Sequence, residues 1–319
     1  MSKYVFGPVP SRRLGFSLGV DTIRSKYCSY DCIYCQIGKT TYLEVERRRF
    51  FDPDEVVEEV SRNVSKENRV DFVTFSGSGE PTLNSDLRYM IREIKKKTRV
   101  PIAIITNGSL LHLEEVRNDL LEADVVLPSL DAASDDIFHY INRPHPLIGL
   151  EMVTEGLERF RNAYDGEIWL EIMMIRDIND DPEELKEFKR IIDYLDVDKV
   201  HLNTVTRPPC EEATGAMETS ALEEVCRFFG DKCEVVSTFE QAVEDGDDDA
   251  DWEEIVLGIL ERRSMNLEDI VKITGVPYLK VKSRLSGLER NGIIKSYYFG
   301  ESIFFLKTGK IEPKTPGGV

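Results

Sequence analysis

The 319-residue chain has little of what most often binds metal or cross-links a small protein: 4 His and 6 Cys. Four histidines, none spaced as a ligand pair, exclude a Cys2His2 zinc finger, and there is no second CxxC pair to close a four-thiolate zinc site. Six cysteines in so long a chain exclude the disulfide scaffold of small secreted proteins, and the lack of a signal-peptide pattern makes a reducing, cytoplasmic setting the expectation. No apolar run approaches the roughly 20 residues that span a bilayer. Positive charge is also short, with 41 Lys and Arg against 59 Asp and Glu, for a net −18. That balance argues against attraction to nucleic acid or anionic membrane over the whole surface, while leaving a local patch open.

What is present starts with CSYDCIYC, where Cys28, Cys32 and Cys35 form CxxxCxxC. Three thiolates on one short loop suit three irons of a [4Fe–4S] cube and leave the fourth iron open to a substrate or cofactor. Around this loop the chain alternates β-rich apolar runs with amphipathic segments, the pattern of a parallel α/β protein. Strands are predicted at 17–23, 70–76, 101–106, 124–129, 167–175 and 199–203. Helices are predicted after the capping pairs Asp52-Pro53 and Asp181-Pro182, and at 87–97, 113–121, 150–161 and 221–229.

Polar clusters close five successive strands: FSGSGEPT (Phe75 to Thr82), ITNGS (Ile105 to Ser109), LPSLDAAS with Ser129 and Asp131, Glu171 within IWLEIMMI, and His201 with Asn203 in VHLNT. Any one of these is ordinary turn material. Five in register with five strands point to a site at the C-terminal face of a barrel.

The CxxxCxxC spacing with Tyr34 before the last Cys resembles the signature of the radical S-adenosylmethionine (SAM) superfamily. The flanking FGPVPSRRLGFSLGVD and QIGKTT resemble a group of Fe–S oxidoreductases related to the tRNA wybutosine-synthesis enzyme, and the likeness covers residues 4–240. It implies an open, six-unit partial (β/α) barrel, with Cys28, Cys32 and Cys35 as cluster ligands and SAM as second cofactor. SAM would meet Tyr34, the segment Gly77, Ser78, Gly79, Glu80 and Pro81, then Thr106, Asn107, Ser129, Asp131, Glu171 and Asn203. The implied reaction is reductive cleavage of SAM to a 5′-deoxyadenosyl radical that abstracts hydrogen, fed by a flavodoxin- or ferredoxin-type donor. The cofactors supply that reactivity; the protein positions them.

Other residues are candidates on chemistry alone. His201 is an acid–base candidate, and Arg143 and His145 lie in INRPHPLIG, a proline-broken segment expected to cross the barrel mouth. Arg12 and Arg13 can face SAM's carboxylate or a phosphate-bearing substrate, and Arg47 to Arg49 read first as a solvated face. Cys210 can donate a hydrogen, or join Cys226 and Cys233 at an auxiliary cluster, although Cys226 sits in a helical core pattern.

Residues 241–251, QAVEDGDDDAD, read as an acidic linker between a core at 1–240 and a second domain at 252–309, with a flexible tail at 310–319. The second domain resembles a winged helix-turn-helix: three helical segments, then IIKSYYF and SIFFLK as a two-stranded wing. From Trp252 onward, 11 Lys and Arg against 8 Asp and Glu give +3, so the rest carries −21. Lys280, Lys282, Arg284 and Arg290 lie on or beside the recognition helix. Four readings follow: the domain presents RNA to the barrel, it grips a peptide, it makes the chain an Fe–S redox-sensing DNA-binding regulator, or it merely packs on the barrel.

Overall fold

Strands covered on both faces need apolar side chains at every position, which is how the central strands are written. FVTF, IAIIT and VVLP are nearly continuous apolar runs and are almost wholly buried. The structure, a computed structural model, describes residues 3–66, 70–211, 213–236 and 252–308. In chain order its first elements are β1 (Val5–Ser11), β2 (Gly15–Val20), β3 (Tyr27–Cys28), β4 (Tyr42–Leu43), α1 (Pro53–Lys66), β5 (Phe72–Phe75), α2 (Leu87–Lys97) and β6 (Ile102–Thr106). There follow α3 (Glu114–Leu120), β7 (Val125–Pro128), α4 (Asp135–Asn142), α5 (Leu150–Ala163), β8 (Glu167–Met174), α6 (Pro182–Leu195), β9 (Lys199–Thr204), α7 (Thr219–Phe229) and β10 (Cys233–Val235).

The main sheet runs β1-β2-β5-β6-β7-β8-β9-β10, parallel from β2 onward with β1 antiparallel at its edge. All six expected strands occur, and β1 and β10 extend the two edges. These edges do not pair with each other, so the barrel is open along one side. Helices return each strand to the next, and their buried faces follow the helical repeat: Glu184, Phe188, Ile192 and Leu195 on α6, and Leu87, Met90, Ile91 and Ile94 on α2. Asp181 caps α6 by accepting from the Glu183 and Glu184 amides at 3.0 and 3.3 Å.

Besides β10 and the two-residue strands, β1 and α4 escape the sequence reading. β1 contains Pro8 and Pro10, which only an edge strand tolerates, and α4 is a helix of eight residues that ends at Arg143 in the left-handed region (φ 43°). The expected linker at 241–251 and tail at 310–319 lie outside the described residues.

The C-terminal segment comprises α8 (Trp252–Leu260), β11 (Met265–Asn266), α9 (Leu267–Thr274), α10 (Tyr278–Arg290), β12 (Ile294–Phe299) and β13 (Ser302–Lys307). Its three strands form a small antiparallel sheet in the order β11-β13-β12. Val256, Ile259, Ile270, Val281 and Leu285 make its core, and Val9 of β1 is part of the same cluster with Phe6 packed against it. The barrel's edge strand is therefore the platform on which this segment sits. Arg262 Nε adds an ion pair to Asp21 at 3.2 Å. Among the described residues, no helix is long and apolar enough to cross a membrane.

Candidate active site

The cysteine loop leaves the end of β2 and is held by backbone pairing on both sides. Lys26 N–H donates to Ser78 O (2.8 Å) and Glu80 N–H to Tyr27 O (3.1 Å), so the GSGE segment lies directly on the loop. Gly79 is needed for that approach, because a Cβ there would stand 1.9 Å from Tyr27 O. A Cβ on Gly77 (φ 137°) would strike Asp21, whose carboxylate accepts from Ser78 Oγ at 2.6 Å. The two glycines thus serve contacts within the protein. On the other side, Asp31 and Ile33 donate to Asn142 O and Ile141 O, and His145 N–H donates to Ser29 O.

This pairing places Cys28, Cys32 and Cys35 on the wall of a cavity of about 380 Å³. Asn107 Nδ2 stands 3.6 Å from Cys28 Sγ and Asn142 Nδ2 3.5 Å from Cys32 Sγ, each donating to sulfur. Hydrogen bonds of this kind help set the potential of a thiolate-held cluster. Burial pushes the Cys28 thiol up to about 12, and the Cys32 thiol is raised too, so taking up metal releases protons.

Two observations test whether the residues suit a cubane. First, three thiols of one loop line a single cavity, as ligands to three of a cube's four irons must. Second, the buried Lys26 Nζ has no hydrogen-bond partner, and the charges acting on it are those of Cys35, Cys210, Asp31 and Cys28. An unpaired ammonium there matches an anionic cluster with its thiolates. The site fits the group.

The remaining wall comes from the strand ends. Gly77, Gly79, Glu80, Thr106, Asn107, Ser129, Asp131, Glu171, Asn203 and Tyr34 all line the cavity. Glu80, 2% exposed, accepts from the Thr106 and Thr82 hydroxyls at 2.6 Å and from the Asn107 amide at 2.8 Å. Asp131 accepts from Tyr34 Oη (2.5 Å), Asn142 Nδ2 (2.8 Å) and the Met173 amide (3.0 Å). Burial raises both carboxyls, and these donors oppose the rise. Glu171 points inward and pairs with Arg13. Ser78 and Pro81 stand behind this wall; Pro81 opens a one-turn 3-10 helix that Glu80 caps.

Three candidates are not at the cavity. His201, 1% exposed, is packed against Trp169 with Nε2 2.7 Å from Glu234, and burial lowers it to about 4. Arg143 pairs with Glu211 at 2.7 Å, and His145 braces the cysteine loop through its backbone. INRPHPLIG therefore buttresses the loop instead of crossing the mouth. Arg47 is tied to Asp119, and Arg49 to Asp86 at 2.7 Å, as structural pairs. Cys233 hydrogen-bonds Cys226, whereas Cys210 lies beside Cys35, so the three do not assemble an auxiliary site.

Sequence reasoning missed Lys26, Asn142, Arg207, Arg262 and Arg263. Only tertiary placement brings them here, and an Arg-Arg pair after an amphipathic helix looks like a solvated end.

Residues 22–188 match the radical SAM superfamily. A UPF0026 protein of Methanocaldococcus jannaschii is 34% identical over 319 residues, covering 97% of each chain. A GTPase Obg of Brachyspira hyodysenteriae is 39% identical over 291 residues, which is 90% of this chain and 42% of that protein, so this chain spans less than half of that relative. Among solved structures, TYW1 with a lysine-pyruvate adduct bound aligns with 70% of this chain and 75% of its own at a TM-score of 0.52 and 17% identity, a likeness of fold alone.

Proposed function

This chain belongs to the radical SAM superfamily, and from that premise we propose that it is a hydrogen-abstracting enzyme acting on RNA, with its C-terminal segment as the recognition element. Superfamily membership implies a [4Fe–4S] cluster and SAM, which when bound supply the electron and the cleavable sulfonium for radical generation. Cys28, Cys32 and Cys35 would hold the cluster, with Asn107 and Asn142 donating to two of the sulfurs.

Glu80, Ser129, Asp131, Asn203 and Tyr34 would receive SAM, with Glu80, Asp131 and Tyr34 oriented by the hydrogen bonds above. Ile105, Ile172 and Met173 supply apolar wall that keeps competing hydrogen donors and water from the reacting centre. A flavodoxin- or ferredoxin-type protein is the proposed electron donor.

The observation that carries this reading is the convergence of three thiols and the polar ends of five strands on one cavity. A redox sensor needs a cluster but no such set of SAM-facing groups. The helix–turn–helix of α9 and α10, followed by the β12–β13 hairpin, is the order of a winged helix, and we read it as one. Lys280, Lys282 and Arg290 on α10 give it basic residues in an otherwise acidic chain, which favours RNA over a peptide.

Anaerobically reconstituted protein given dithionite and SAM is expected to form 5′-deoxyadenosine, and Cys32→Ala to form none. A loaded cluster that yields no such product would overturn the enzymatic reading. Recovery of RNA with the Cys32→Ala protein from cell extract tests the substrate class, and recovery of only peptide or sequence-specific DNA would overturn it.

A further inference from the structure

The cavity has a second wall, of opposite charge to the thiol wall. Five arginines line it, Arg12, Arg13, Arg207, Arg262 and Arg263, against the three acids Glu80, Asp131 and Glu171, in a chain of net charge −18. They come from three separated segments: the β1–β2 turn, the stretch after β9, and the end of α8. The β1–β2 turn reaches across the open side of the barrel, where Arg12 Nη1 donates to Val236 O at 3.4 Å. α8 delivers Arg262 and Arg263 to the same place.

Their pairing is incomplete. Arg13 has Glu171, Arg207 has Asp269 at 3.6 Å and Arg262 has Asp21 at 3.2 Å. Arg12 and Arg263 have no ion-pair partner among the described residues. The Nε atoms of Arg13, Arg207 and Arg263 are buried with no hydrogen-bond partner. The side chains of Arg13, Arg207 and Arg262 are 16%, 15% and 10% exposed.

Burying unpaired guanidinium groups beside one another opposes folding, unless an anion completes the set. The repulsion is visible in Arg12 and Arg263, lowered to about 10 and about 9, first by burial and next by the Arg207 charge. The acids that act on these two are Glu171 and Asp269.

We propose that Arg12, Arg13, Arg207 and Arg263 form the binding site for a phosphate group of the substrate. A phosphodiester of an RNA chain carries one negative charge and two free oxygens, which the forked N–H groups of these guanidinium groups suit. This deepens the RNA reading, because it places the substrate's phosphate on the arginine wall and its reacting part toward the cysteines. Arg263 also couples the two parts of the chain, since the C-terminal segment completes the site.

The test is binding of inorganic phosphate to the full-length, cluster-loaded protein, read as thermal stabilisation at ionic strength matched with chloride, with and without SAM. Phosphate is expected to stabilise the protein in both cases, and Arg263→Gln to weaken binding about tenfold or more, the loss of one charge-assisted contact. Should Arg263→Gln not fold, Arg12→Gln, which leaves the C-terminal segment untouched, carries the same expectation. No stabilisation beyond chloride, or an unchanged response in the variant, would overturn the site. A response abolished by SAM would assign the arginines to SAM's own carboxylate and equally overturn it. Because the measurement needs no reductant, its failure is separable from a failure to form 5′-deoxyadenosine.

Discussion

Lys26 adopts a left-handed backbone (φ 71°) that costs a non-glycine residue about 1 kcal/mol or more. It is held there because its N–H donates to Ser78 O while its carbonyl accepts from Thr41 and Tyr42, pinning the cysteine loop between two segments. Gly79 is the tightest point of that clamp. Gly79→Ala would push a methyl group into Tyr27 O, and overpacking of this kind costs about 1–3 kcal/mol. The variant is expected to keep its fold but to take up less iron on reconstitution, measured as iron per chain. Wild-type iron content would show that the clamp does not position the thiols. At this scale the cysteines and Tyr34 are legible because their spacing is local. Lys26, Asn142 and Arg263 are not, since each acquires its role from residues far away in the chain.

The elements that position the site are ordinary ones whose buried faces carry the stability. Phe188 on α6 is fully buried and lies 6.2 Å, centroid to centroid, from Phe229 of α7, so one ring ties two successive crossovers. Phe188→Ala is expected to lower unfolding stability by about 3–5 kcal/mol in a denaturant titration. A loss under about 1 kcal/mol would mean that the ring is not packed as described. The parallel strands and most helices are readable from apolar runs and caps; Asp181-Pro182 marks the start of α6 directly. β1 is not readable, because FGPVPS has the composition of a turn and becomes a strand only by pairing with β2 at the sheet edge. α4 is short, and the prolines that follow it mask its two turns of amphipathic pattern.

For the whole molecule, the acidic charge conceals its opposite. In a chain of net charge −18, one wall of the cavity carries thiols and amides and another carries arginines. The sequence suggests a separate C-terminal fold, but not where it sits. Val9 and Phe6, which look like loop residues, are the seat, and through it Arg262 and Arg263 become part of the barrel's cavity. The arrangement makes the C-terminal segment a structural component of the site as well as the proposed recognition element. All of it depends on the three thiols leaving one iron available to SAM. The most direct measurement is the electron paramagnetic resonance spectrum of the reduced, anaerobic protein before and after SAM is added. A [4Fe–4S] signal whose shape shifts on addition is the predicted result; a signal indifferent to SAM, or a mononuclear metal in place of the cluster, would contradict it.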